Sequence, residues 1–150
     1  MSVKVVTGNI LDCQEEVIFH QCNCVSTEVK GLAESLFEKY PYSNTYKNRT
    51  QNKSVPGTVD VCPGDKIIIN AYAQYYPGRA KYANDNQTKR IEFFNNCLNQ
   101  LLSIESITGK DIAMPYNIGC GMAGGDWQTY YDIICQFSLK NNINIVLYRF

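Results

Sequence analysis

The chain has 150 residues, 45% hydrophobic and 19% charged, with 14 basic and 14 acidic side chains and a formal net charge of zero. That length suits one domain able to bury a core, and the composition excludes a disordered chain. Balanced charge with no Lys/Arg run excludes affinity driven by a nucleic-acid backbone; no sequence-specific nucleic-acid partner is expected, and any anion must be met locally by main-chain N–H groups or a few side chains.

Apolar runs and helical patterns alternate along the chain. Val3 to Val6 predicts a short strand and Glu16 to Cys24 a second. Val29 to Tyr40 predicts a helix, with Leu32, Leu36 and Phe37 spaced for one face and Pro41 ending it. Ser43 to Ser54 is polar and predicts a surface loop. Thr58 to Cys62 and Lys66 to Ala73 predict strands around the Pro63-Gly64-Asp65 turn, the second mostly apolar and therefore buried. Tyr75 to Gln87 predicts a loop, and Thr88 to Ser103 a helix carried by Ile91, Phe94, Leu98 and Leu101/Leu102. Asp111 to Pro115 predicts a strand, Trp127 to Leu139 a helix, and Ile143 to Tyr148 a closing strand. Strands alternating with helices predict an α/β layered domain with a mixed, mainly parallel sheet, and no internal repeat, linker or second domain is evident.

No apolar stretch approaches the ~18 residues of a membrane helix, and the N-terminus has no signal-like character. Seven cysteines, an odd number without framework spacing, argue against a disulfide-stapled secreted domain. A cytoplasmic, reducing location and a monomer are the expectations. Cys22 and Cys24 have no second pair, and His20 is the only histidine, so no metal site is expected and the cysteines serve as small apolar side chains.

Ligands of such sheets sit beyond the carboxyl ends of the strands. Three segments qualify: Gly8-Asn9-Ile10-Leu11, Asn23 to Ala33, and Asn117 to Trp127. The last contains Gly119, Gly121, Gly124 and Gly125 between a strand and a helix. Such a turn exposes successive N–H groups to a phosphate or diphosphate, with the helix dipole adding positive potential. The plainer alternative is a flexible connection with Asp126 as helix cap. It is not a P-loop, because no Gly-Lys-Ser/Thr follows. In the middle segment, Asn23 offers an amide for sugar hydroxyls or a catalytic water, or serves as a turn amide. Lys30 and Gly31 lie at the helix start, near any bound phosphate, although Lys30 equally suits a solvated surface. His20, inside an apolar run, is either a hydrogen-bonded core residue or an acid–base group near neutrality. Tyr75 to Tyr82 could cover an adenine or ribose or be an ordinary loop.

Together, VTGNIL, IFHQCNC, PGTVDV, IIINAYAQYYPGR and AMPYNIGCGMAGGDW resemble, in order and spacing, a macro domain, the ADP-ribose-binding family. The resemblance covers nearly the whole chain. It is strongest to the small branch that includes ADP-ribose-1″-phosphate phosphatases and terminal ADP-ribose glycohydrolases. It implies a three-layer α/β/α fold over residues 1–150 and ADP-ribose, or a derivative, as ligand, with no cofactor and with ADP-ribosylated protein as a further partner.

Position by position, the resemblance implies that Asn9 reads the adenine amino group, with Gly8, Ile10 and Leu11 around it and Ile10 flanking the base. Asn23 matches the asparagine at the distal ribose. Ser26 to Ala33, with Ser26, Thr27, Lys30 and Gly31 as contacts, matches the first phosphate loop. Ile118, Gly119, Cys120, Gly121, Met122, Ala123 and Gly124 match the second. His20 coincides with a histidine of the phosphatase-like branch. Catalysis on this view belongs to Asn23 and His20, with Glu28 and Asp126 as the nearest carboxylates.

The sequence also departs from the family. Its first loop reads STEVKGLA, in which Ser26 and Val29 replace glycines and only Gly31 remains. β-branched Val29 does not readily take φ > 0; either the loop is reshaped or turnover is impaired. The glycohydrolase lysine and aspartate fall at Ala73 and Ala123, which argues against a lysine-adduct mechanism. The expected activity is hydrolysis at the 1″ linkage of an ADP-ribose derivative; the alternative is a reader that binds ADP-ribose or ADP-ribosylated proteins without turnover.

Overall fold

The computed structural model describes residues 2–47 and 54–150. Strands β1 (Val3–Thr7), β2 (Val17–Asn23), β3 (Val59–Cys62), β4 (Ile67–Gln74), β5 (Ile112–Pro115) and β6 (Ile145–Arg149) are joined by helices α1 (Gly31–Lys39), α2 (Gln87–Gln100) and α3 (Trp127–Asn141). The six strands form one sheet in the order β1-β6-β5-β2-β4-β3. All neighbours are parallel except β3, which returns antiparallel along β4.

Alternation along β2 and β4 divides the core into two layers. Val17 and Phe19 join Ile69 and Ala71 under Phe94 and Leu98 of α2 and Ile134 and Phe137 of α3. From the opposite face, Ile18 and Ile68 pack with Leu36 and Tyr40, and Cys22 and Tyr72 with Phe37 and Tyr46. Each large apolar side chain buried this way contributes about 1.5–3 kcal/mol. The result is the expected α/β/α arrangement with a mixed, mainly parallel sheet.

Some boundaries differ from those expected. Helix α1 starts at Gly31 rather than Val29, because Lys30 is still extended (φ −143°, ψ 159°) and Val29 packs against the Cys22–Tyr46 cluster. The last turn expected of α2 tightens to a 3₁₀ turn at Leu101–Ser103. Helix α3 runs to Asn141 and stops where Asn142 turns left-handed (φ 57°), so β6 begins at Ile145 rather than Ile143. The expected surface loop 43–54 lies partly outside the described residues. Within the described part, Pro41–Ser43 forms a 3₁₀ turn, and both Ser43 and Tyr46 are buried.

Candidate functional site

Because β1, β6, β5, β2 and β4 run parallel, their carboxyl ends share one edge of the sheet. The loops leaving that edge enclose a cleft of about 630 Å³. Its walls are the end of β2 (residues 20–23), the turn and first helical residues around Ser26 and Gly31, Tyr46, Gln74, Pro77 with Gly78, and residues 115–123.

The glycine-rich loop supplies one wall, and its four glycines have separate physical reasons. Gly119 takes φ +79°, and a Cβ there would lie 2.6 Å from the Tyr130 ring. Gly124 takes φ +75°, with Arg79 Cγ 2.9 Å from such a carbon. A Cβ on Gly125 would meet the Gly119 carbonyl oxygen at 2.6 Å and Tyr130 at 2.8 Å. The fold demands these three. Gly121 is different: it is exposed, it has no positive φ, and a Cβ would meet nothing within 4 Å.

The N–H groups of this loop sort in the same way. Cys120 N donates to Asn117 O, Gly124 N to Gly121 O, and Gly125 N to Gly119 O. Among the described residues, no acceptor takes the consecutive N–H groups of Gly121, Met122 and Ala123. All three residues line the cleft. Successive N–H groups without an internal acceptor are the kind of donor that an anion can use where they converge.

Across the cleft, α1 presents its N-terminus. Asn86 and Asp126 cap α2 and α3 with side-chain oxygens, whereas Lys30 makes no capping bond to α1. The positive end of that helix dipole therefore faces the cleft at Gly31, Leu32 and Ala33. The two walls approach each other where a Cβ on Gly31 would lie 3.5 Å from Met122 Sδ. Gly31 takes φ +65°, while neither Ser26 nor Val29 has positive φ; this loop follows a path that requires glycine only at its end.

Asn23 sits where the register between β2 and β4 shifts, Ala73 being the extra residue on β4. Its Oδ1 accepts from Val25 N (3.1 Å) and Ser26 N (2.8 Å), and its own N–H donates to the Tyr46 hydroxyl. The turn-amide role is therefore real.

His20 is 2% exposed and lies edge-on to Phe37. Asn70 Nδ2 donates to the Ser43 carbonyl, which turns Asn70 Oδ1 toward the ring. His20 Nε2 lies 2.6 Å from that oxygen and must donate to it, leaving Nδ1 as the acceptor nitrogen. Burial lowers the His20 pKa to about 4 despite the Asn70 bond, so the ring is neutral at pH 7.

Ser26, Lys30, Gly31 and Ile118 to Ala123 line the cleft together with His20 and Asn23. Gly8, Asn9, Ile10, Leu11, Thr27 and Gly124 are not among the lining residues. Asn9 caps the Ile10–Asp12 turn by accepting from Leu11 N, Ile10 is 4% exposed in the core beside Leu36, and the Leu11 carbonyl accepts from Lys39. Asp126 accepts from Thr129 N and Oγ1 as the α3 cap, whereas Glu28 is among the residues that line the cleft. Ala73 is wholly buried and Ala123 lines the cleft wall. Among the described residues no group of three or more His, Cys, Asp or Glu is placed to hold a metal ion, and no helix is long and apolar enough to cross a membrane.

Sequence reasoning missed a buried ion pair behind the cleft. Asp85 and Arg90, 0% and 1% exposed, meet at 2.7 Å. Asp85 also accepts from Tyr75 N and Tyr76 N. Burial raises its pKa, but the Arg90 bonds and the two N–H donors outweigh that and hold it below the usual carboxylate range. The available signal was spacing: Arg90 stands four residues before Phe94, on the apolar face of α2. Gln21 and Gln74 were also missed; they line the cleft and pair at 2.7 Å.

No protein-family model matches the sequence, and a search of curated proteins returns no match. Solved structures do match. The macrodomain of Mycobacterium tuberculosis DarG aligns over 97% of this chain and 96% of its own, with TM-score 0.76 and 19% identity. The Thermus aquaticus DarG macrodomain aligns over 98% and 97%, with TM-score 0.70 and 20% identity. Thermosipho africanus DarTG in complex with ADP-ribose aligns over 97% of this chain and 41% of its own, with TM-score 0.69 and 14% identity. With its strand order, its two-sided helix layers and these likenesses over nearly its full length, the chain has the macrodomain fold.

Proposed function

We propose that this chain binds ADP-ribose or a derivative, its diphosphate held between the N-terminus of α1 and the loop at Gly121–Ala123. The observation that carries this reading is the run of three N–H groups at Gly121, Met122 and Ala123 with no acceptor among the described residues. Opposite them stands a helix start without a side-chain cap. Fixed backbone dipoles suit a chain of zero net charge, because they hold an anion without a basic patch. ADP-ribose bound in the Thermosipho structure supports the choice of ligand.

Calorimetry with ADP-ribose tests this. One site per chain is expected, lost in Gly121→Glu, because the new carboxylate opposes the diphosphate in a place where the fold leaves room. Wild-type-like binding by Gly121→Glu would move the ligand elsewhere.

The finer reading is hydrolysis at the 1″ position. In its phosphatase form water cleaves the bond between phosphorus and the 1″ oxygen, releasing inorganic phosphate and leaving ADP-ribose. Asn23 would hold the ribose or the water, and Glu28, which lines the cleft, would supply a carboxylate. The neutral state of His20 suits hydrogen bonding rather than proton carriage at pH 7. Phosphate release from ADP-ribose-1″-phosphate, lost in Asn23→Ala and His20→Ala, supports the enzyme. Binding without release, and survival of ADP-ribosylated protein on long incubation, supports the reader; the engagement of Asn23 Oδ1 by its own turn favours that outcome.

A further inference from the structure

We infer that Arg90 is a positioning residue that fixes one wall of the cleft to another and sets the glycine loop for anion binding. The inference rests on the ADP-ribose reading for its ligand but on separate observations for its mechanism. Arg90 has five N–H donors, and five hydrogen bonds use them. Nε and Nη2 bond Asp85 Oδ1 and Oδ2 at 3.1 and 2.7 Å. Nη2 also reaches the Tyr76 carbonyl at 3.1 Å, and Nη1 reaches the carbonyls of Gly78 (2.7 Å) and Ala123 (3.3 Å). Gly78 and Ala123 line the cleft from different segments, separated by 45 positions in sequence.

A carbonyl oxygen turned into an anion site repels the anion. Bonding to a guanidinium that is 1% exposed draws the Gly78 and Ala123 oxygens into the protein instead. Otherwise that peptide between Ala123 and Gly124 is held only from within its own loop, by the Gly124 N–H bond to the Gly121 carbonyl, and glycine accepts either sign of φ. Asp85 keeps Arg90 in register: its carboxylate is fixed by two loop N–H groups as well as by the guanidinium fork. Arg90 touches no ligand on this account and acts through the Ala123 and Gly78 peptides.

The test uses Arg90→Lys, which keeps the charge and loses the fork, and the neutral double variant Asp85→Asn/Arg90→Gln, which leaves no lone buried charge to prevent folding. Melting curves fix a temperature at which all proteins are folded. Without ligand, ¹⁵N relaxation dispersion is expected to reveal exchange at the Gly78, Arg79, Ala123 and Gly124 amides, with Ile69 and Ile145 quiet. With ADP-ribose, affinity is expected to fall at least tenfold. Quiet loop amides, or an affinity unchanged despite a lower melting temperature, would reduce Arg90 to a structural residue and overturn the inference. Loop exchange in a protein whose wild type ignores ADP-ribose would support the positioning role and instead remove the ligand reading.

Discussion

His20 donates through Nε2 to Asn70 Oδ1 at 2.6 Å, inside a core that leaves the imidazole 2% exposed. The folded pKa is lowered from 6.5 to about 4, by burial first and against the Asn70 bond. Between these values the unfolded chain binds a proton that the folded one refuses, so stability falls as pH drops from 6.5 to 4 and is fully present above 6.5. The shift corresponds to about 3 kcal/mol. Urea midpoints from pH 7.5 to 4 should show this decline, and His20→Gln should flatten it. An equal decline in that variant would assign it to other groups.

The glycine loop separates fold from ligand. Gly119→Ala and Gly125→Ala drive a methyl into Tyr130 or the loop backbone, and each is expected to cost about 2–4 kcal/mol. Gly121→Ala should stay within about 0.5 kcal/mol of wild type. Thermal denaturation checks the series, and comparable losses at all three positions would remove the distinction.

Asp85→Ala leaves the Arg90 guanidinium buried without its counter-charge and is expected to cost about 3–5 kcal/mol. Denaturant midpoints measure it. A cost below about 1 kcal/mol, the range of exposed pairs, would show that the pair opens to water.

Cys120 lines the cleft, and its thiol is pushed up to about 11 by burial first and by Asp126 second. At pH 8 iodoacetamide should label it about a hundredfold more slowly than a free cysteine peptide. Saturating ADP-ribose should slow labelling further, as mass spectrometry of the peptide would show. A rate indifferent to ADP-ribose would place the ligand away from this wall.

How far these features were legible in the sequence depends on which physics governs them. Periodicity is local, so the six strands, three helices and their alternation could be read from apolar spacing alone. The glycine-rich wall of the cleft was also legible, because glycine density records backbone conformation directly. Yet the sequence counted Gly119, Gly121, Gly124 and Gly125 alike, and only packing against Tyr130 and Arg79 singles out Gly121. The ambiguity at Asn23 resolved only when Val25 N and Ser26 N were seen to occupy its oxygen. The sequence reading did not single out Asp85 and Arg90, because their burial follows from two distant loops meeting over the start of α2. The end of α1 nearest the cleft was placed too early because Val29 has an apolar partner in the Cys22–Tyr46 cluster rather than on the helix.

The central claim concerns three main-chain donors, and an amide-resolved titration with ADP-ribose addresses them directly. In ¹H–¹⁵N spectra, the account predicts that the largest downfield shifts fall on Gly121, Met122 and Ala123, with smaller ones at Gly31 to Ala33. Saturable binding that leaves those six signals in place while moving others would contradict it.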